Sequence, residues 1–227
     1  MKNLKFRHEY KQIINFYDSI ALSNRLKYVI PYDKNTNSYG KYKVKSLYFD
    51  NAYDKALREK SIGISKREKF RIRYYNDNLD FIKLEKKSKI KNLCNKKSEK
   101  ISIDQCRKVL NGNYTWLLYS KKPLFIEFYS KLLENALRPK VIVEYTREPF
   151  TYPAGNVRVT IDSNIRSAGF STNFLDPKNI TCSSTSPGIA ILEVKFDEFL
   201  PSFIKDAINL NNNSHTSFSK YASCRII

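Results

Sequence analysis

In the segment KFRIRYY, residues 69–75, charged and apolar side chains alternate with the period of two that belongs to a β-strand. Lys69, Arg71 and Arg73 fall on one face, and Phe70, Ile72 and Tyr74 on the other. Like charges at that spacing repel, so a fold that keeps them in phase must bring them a counter-charge. The pattern recurs along the chain. Arg7, Glu9 and Lys11 share a face, as do Lys83, Glu85 and Lys87. Arg158, Thr160 and Asp162 lie opposite Val157, Val159 and Ile161; Glu193, Lys195 and Asp197 lie opposite Leu192, Val194 and Phe196. In VEYTR the in-phase pair is Tyr145 and Arg147. Strands of this kind admit two arrangements. Either the charged face is solvated while helices cover the apolar one, or the sheet curls until the charged faces line a lumen. These faces are built from Arg, Lys and Glu rather than Ser, Thr, Asn and Gln. Enough helical sequence is present to cover the apolar face from outside, which favours the second arrangement.

The remaining elements follow from punctuation. Asp18 reads as an N-cap before Leu22, Leu26, Val29 and Ile30 at helical spacing, and Pro31 ends that helix. YKVKSLYFD reads as a strand with one or two helical turns after it, around Ala56 and Leu57. The NDN at 76–78 joins two strands as a hairpin. Ser102 and Gln105 form a capping-box pattern, and Pro123 opens a helix over LFIEFYSKLLENAL. PKVIVEYTREPF, NVRVTID and IAILEVKFDEF are strands, and a Ser/Thr/Pro-rich loop spans 167–188. Two short helical stretches close the chain, around 203–210 and 217–223. The expected fold class is α+β with a mainly antiparallel sheet, in one domain over residues 1–227.

Charge sets the class of partner. Lys+Arg of 41 against Asp+Glu of 22 gives a net charge of +19, which calls for a polyanion. Nucleic acid is disfavoured, because the basic residues are phased into strands rather than set among exposed aromatics. Cys94, Cys106, Cys182 and Cys224 form no CxxC pair, and with only His8 and His215 the sequence argues against a Cys/His zinc site. Any metal must be a hard one on carboxylates. No apolar run approaches membrane-spanning length and no signal-peptide core is present, so a cytoplasmic protein with free thiols is expected.

SLYFDN (46–51), KFRIRYY, IKLEKKSK, EYTREPF, VRVTID, LEVKF and SFSKY occur in that order. Together they closely resemble the VTC domain, the vacuolar transporter chaperone family of polyphosphate polymerases within the triphosphate tunnel metalloenzymes. The resemblance implies a closed, eight-stranded antiparallel β-tunnel with a charged lumen and helices outside. It implies phosphate-gripping catalytic roles for Lys11, Arg71, Arg73, Lys83, Arg147 and Arg158. Lys100, Tyr145, Lys195, Ser219 and Lys220 are implied as further phosphate contacts. Glu193 is implied as the ligand of a divalent metal, Mn2+ or Mg2+, with Glu9, Glu85 and Asp162 as further candidates. Each of these carboxylates could equally be an ion-pair partner that holds a Lys or Arg in place, and Ser219 could be a plain N-cap. Two positions depart from the family pattern: Arg7 replaces the first acid of its opening strand, and Ser217 stands where a basic residue is common. The implied activity is transfer of the γ-phosphate of ATP to a polyphosphate chain. A triphosphatase using water in the same lumen and a non-catalytic polyphosphate-binding module are the alternatives.

Overall fold

The computed structural model describes residues 7–91, 93–169, 173–209 and 216–225. In chain order these form β1 (His8–Ile14), α1 (Phe16–Val29), β2 (Tyr42–Asp50), α2 (Lys55–Ile62), β3 (Lys66–Tyr75), β4 (Asn78–Ile90) and β5 (Leu93–Ile101). Then come α3 (Ile103–Leu110), α4 (Thr115–Leu118), α5 (Pro123–Glu134), β6 (Arg138–Tyr152), β7 (Val157–Ser167), β8 (Cys182–Ser183), β9 (Ala190–Phe196), α6 (Ser202–Ala207) and α7 (Lys220–Ser223).

Local chemistry explains most boundaries. Asn76 and Asp77, at φ 50° and 56°, turn β3 into β4 as a two-residue hairpin of the kind that matches strand twist. Ser102 and Gln105 exchange both bonds of a capping box, and Pro123 opens α5. Asn15, not Asp18, caps α1: its side chain accepts from the Asp18 N–H, so Asp18 lies in the first turn and favours the helix dipole. Helix α5 stops at Glu134, three residues short of the expected end, because Ala136 takes a positive φ of 49°.

The strands form one antiparallel sheet in the order β1-β9-β7-β6-β2-β3-β4-β5, with β8 attached to β7. This corrects the expectation of a closed eight-stranded barrel. The sheet has nine strands, and its edges β1 and β5 meet in a single bridge, Arg7 with Cys94, through N···O contacts of 3.2 and 3.3 Å. Beyond that bridge β1 pairs as a strand with β9 only; its Lys11 carbonyl accepts from the Thr216 N–H at 3.0 Å rather than from β5, and strand twist carries the two edges apart.

Two apolar layers cover the outside of the curled sheet. Leu47, Phe49, Phe70, Ile72 and Leu84 pack under α3, α4 and α5 with Phe125 and Phe128. Phe150, Val159, Leu192 and Val194 pack under α1 and α6 with Leu22, Leu26 and Ile204. A third cluster lies on the inner face: Val44, Val141, Val143, Ile165 and Ile191 pack with Tyr221 of α7. Ile165 reaches this cluster because a bulge at Asn164 (φ 50°) reverses the phase of β7. Among the described residues no helix is long and apolar enough to cross a membrane.

Candidate functional site: a charged inner face

The charged side chains of the phased strands face inward and are enclosed. Glu85 is 1% exposed, Asp162 0%, Glu193 5%, Arg73 4% and Arg147 8%, values that a solvated sheet face would not give. Charge at such depth persists only when paired, and each group is paired.

On the β3–β4–β5 wall, Glu85 is the hub. Arg71 Nε and Nη2 reach Glu85 Oε2 at 2.8 and 2.6 Å, Arg73 lies at 3.8 Å and Lys96 at 3.2 Å. Burial pushes the Glu85 carboxyl up, yet Arg71, Arg73 and Lys96 together hold it well below the usual carboxylate range. The remaining guanidinium N–H groups find phenols and a hydroxyl. Arg71 Nη1 donates to Tyr48 Oη (2.9 Å), Arg73 Nη2 to Tyr145 Oη (3.1 Å) and Arg73 Nε to Ser46 Oγ (2.8 Å). Burial would raise the Tyr48 phenol, but Arg71 and Arg73 pull it down to about 8. Lys83 and Lys100 are cross-strand partners at the end of this wall away from α7, both over the ring of Phe81.

On the opposite wall, Arg147 of β6 clamps Asp162 of β7 bidentately at 2.6 and 2.7 Å, and Lys220 of α7 reaches the same carboxylate at 2.7 Å. Lys220 and Arg147 also lie over the Tyr145 ring. Arg158 sits nearer solvent, held by Asp33 at 3.0 Å and by Tyr42 Oη at 2.7 Å. Ser219 caps α7, its hydroxyl accepting from the Ala222 N–H.

Glu9 and Glu193 are diagonal neighbours across β1 and β9. Lys195 lies 3.0 Å from Glu193 and 3.6 Å from Glu9; Lys11 lies 3.5 Å from each, and Lys87 sits 2.8 Å from Glu9. Burial presses the Lys195 ammonium down to about 8 against the pull of Glu193 and Glu9. Lys11 moves the other way: the two carboxylates overcome burial and raise it. Two hard oxygen donors on adjacent strands are the chemistry by which Mg2+ or Mn2+ is held with its substrate. Asp162 is tied to this pair through Arg147, whose Nη2 also lies 3.4 Å from Glu193, while Glu85 is held on the other wall by Arg71. Among the described residues no group of three His, Cys, Asp or Glu side chains is assembled, so a cation here would need phosphate oxygens to complete its shell.

The structure therefore brings Lys11, Arg71, Arg73, Tyr145, Arg147, Asp162, Glu193, Lys195 and Lys220 onto one enclosed face, with Arg158, Lys83 and Lys100 toward its far end. Sequence reasoning missed Tyr48, Ser46, Lys96 and Asp33. Tyr48 and Ser46 were legible as the positions out of phase with core residues Leu47 and Phe49; Asp33, in a loop, had no signal.

The match to the VTC domain family model runs from residue 6 to 226, almost the whole chain. The chain belongs to the VTC domain family. No curated protein matches this VTC domain in sequence. Among solved structures, the PH1012 protein from Pyrococcus horikoshii superposes with a TM-score of 0.53 at 11% identity, over 96% of this chain and 99% of that one. A candidate adenylate cyclase from Bacillus halodurans gives 0.52 at 11%, over 84% and 80%. A candidate adenylyl cyclase from Hippeastrum with a dominant triphosphatase activity gives 0.52 at 13%, over 89% and 83%. At these identities the likeness is one of fold: the VTC domain has the triphosphate-tunnel fold.

Proposed function

We propose that this VTC domain is a metal-dependent polyphosphate polymerase that transfers the γ-phosphate of ATP onto a polyphosphate chain held along its inner face. The observation that carries the reading is the enclosed set of cations converging from different strands, in excess of Glu9, Glu85, Asp162 and Glu193. Such a face is self-repelling without an anion and is relieved by one. Arg71 and Arg73 from one wall, with Arg147 and Lys220 from the other, grip phosphate oxygens from both sides and hold donor and acceptor in line. Glu85 and Asp162 hold those guanidinium groups in orientation before substrate arrives. The polymer's terminal oxygen attacks, the bond between the β- and γ-phosphates breaks, and ADP leaves; no protein residue is covalently modified. Glu193 and Glu9 would hold a divalent cation, which would supply further neutralisation of charge on the transferred group. ATP as donor accords with a cytoplasmic setting.

A second reading, triphosphate hydrolysis with water as acceptor, is favoured by the activity of the Hippeastrum protein of the same fold. One assay separates them. Incubation with ATP and Mn2+ is followed on a gel stained for polyphosphate, with orthophosphate measured in parallel. Long chains support the polymerase; orthophosphate alone supports the hydrolase. Tight triphosphate binding with neither product leaves a non-catalytic binding module.

A further inference from the structure

The cationic face of β3 and β4 does not stop where the carboxylates do. Past Lys69 and Lys87 it continues to Arg67 and Lys89, which oppose each other across the two strands. Among the described residues neither has a carboxylate within ion-pair distance, and directly opposed like charges destabilise a sheet. Lys60, in the last turn of α2, stands beside this pair. After burial, the charges of Arg67, Lys11 and Lys89 are what press its ammonium below its ordinary value, and no acid counters them.

A cleft of about 420 Å3 opens at this end, lined by Lys60, Ser61, Ser217, Phe218, Ser219 and Ser223. Lys60 Nζ donates to Ser217 Oγ at 2.9 Å, and Ser219 Oγ accepts from the Ala222 N–H. Both hydroxyls thus keep their own protons to donate elsewhere. The wall between cleft and inner face is the stretch 217–220. Its Phe218 carbonyl accepts from Lys11, which pairs with Glu9 and Glu193, and its Lys220 pairs with Asp162. Ammonium and hydroxyl donors without a carboxylate suit a phosphate, and the cation track leads to them from the phosphate-gripping residues.

We propose that this cleft is a phosphate subsite outside the enclosed face, centred on Lys60 and Ser217, which holds polyphosphate projecting beyond the α7 end. The inference rests on the reading of the inner face as the seat of a phosphate chain. A short triphosphate is contained by the inner face and does not reach Lys60; a long chain engages both.

The test compares a long polyphosphate with tripolyphosphate, by titration calorimetry at several salt concentrations, on the full chain and on Lys60→Ala, Lys60→Glu and Lys60→Arg. Wild type should bind the long chain more tightly. Lys60→Ala should lose about tenfold in long-chain affinity, the size of one charge-assisted contact, and Lys60→Glu more. The salt dependence for the long chain should fall by about one ion. Tripolyphosphate affinity and melting temperature should not move, and Lys60→Arg should retain most long-chain binding. Unchanged long-chain affinity in Lys60→Ala and Lys60→Glu would overturn the subsite. So would an equal loss for tripolyphosphate, which would place Lys60 with the inner face. A wild type that binds neither ligand overturns the reading of the inner face itself, and shows this before any variant is made.

Discussion

Neutralising Arg71 and neutralising Glu193 should have different consequences, because one group grips phosphate and the other holds charge against it. Arg71→Ala removes three contacts to Glu85 and Tyr48 and with them a phosphate donor. Triphosphate affinity and turnover should both fall by about tenfold or more, on the scale of 1.5–3 kcal/mol for a charge-assisted bond. Glu193→Gln keeps the volume but leaves Lys195 and Lys11 with Glu9 as their remaining carboxylate. Triphosphate should bind as well or more tightly while polymer formation collapses; intact synthesis would reduce Glu193 to an ion-pair partner. A pH dependence is also set at this scale. Burial pushes the Lys69 ammonium down to about 8, opposed by Tyr48 and aided by Lys87. A bound phosphate favours the charged ammonium, so binding above pH 8 should take up a proton and affinity should fall as pH rises through that value. Tyr48 loses its proton in the same range and adds a negative charge, acting in the same direction. Lys195, also pressed down to about 8, contributes in the same sense; calorimetry in buffers of different ionisation enthalpy measures the uptake, and none above pH 8 would mean that neither ammonium meets phosphate.

At the scale of elements, Phe174 anchors the described part of the loop from β7 to β9 in the outer core, in addition to the pairing of β8 with β7. Phe174 is fully buried in the outer core, its carbonyl accepts from Tyr74 Oη at 2.7 Å, and the neighbouring Asp176 carbonyl accepts from Lys45 at 2.6 Å. Phe174→Ala should therefore cost about 3–5 kcal/mol in urea unfolding, far more than an ordinary loop substitution. A cost below about 1 kcal/mol would mean that the loop is not part of the core. The sequence read as a loop here because Phe174 has no periodic neighbours. Strands β3, β4, β7 and β9 were legible because each alternates a charged with an apolar face, and β2 and β6 as runs rich in β-branched and aromatic residues. Strand β5 was not. Lys96, Ser98 and Lys100 point inward while Asn95, Lys97 and Glu99 point outward, so an edge strand polar on both faces has no pattern to show. The apolar end of the inner face was also hidden. It depends on the reversal of phase at Asn164 and on Tyr221 folding back to donate to Asp50 at 2.5 Å, which are matters of backbone conformation and long-range contact. The identities of the inner cations were readable, and so was an ion-pair role for Glu85 and Asp162; which cation each one holds came only with the cross-strand register.

For the molecule as a whole, a chain of net charge +19 is built on a sheet whose two edges are joined unequally to their neighbours. Most strands are held by long ladders, whereas β1 and β5 share the Arg7–Cys94 bridge, with Glu9, Lys87 and the Cys94 thiol stacked just inside it. The cylinder is thus a split ring, and repulsion among its inner cations acts as a spring that tends to widen the split. Opening there breaks two backbone hydrogen bonds, while opening anywhere else unzips a ladder. Amide hydrogens at Arg7 and Cys94 should consequently exchange with solvent much faster than those of β2 and β6, and tripolyphosphate should slow them selectively by relaxing the spring. Uniform protection around the ring would deny the split. A ring that parts sideways can also admit a polymer along its length, so that a chain too long to thread end-first is laid in like a cable into slit conduit.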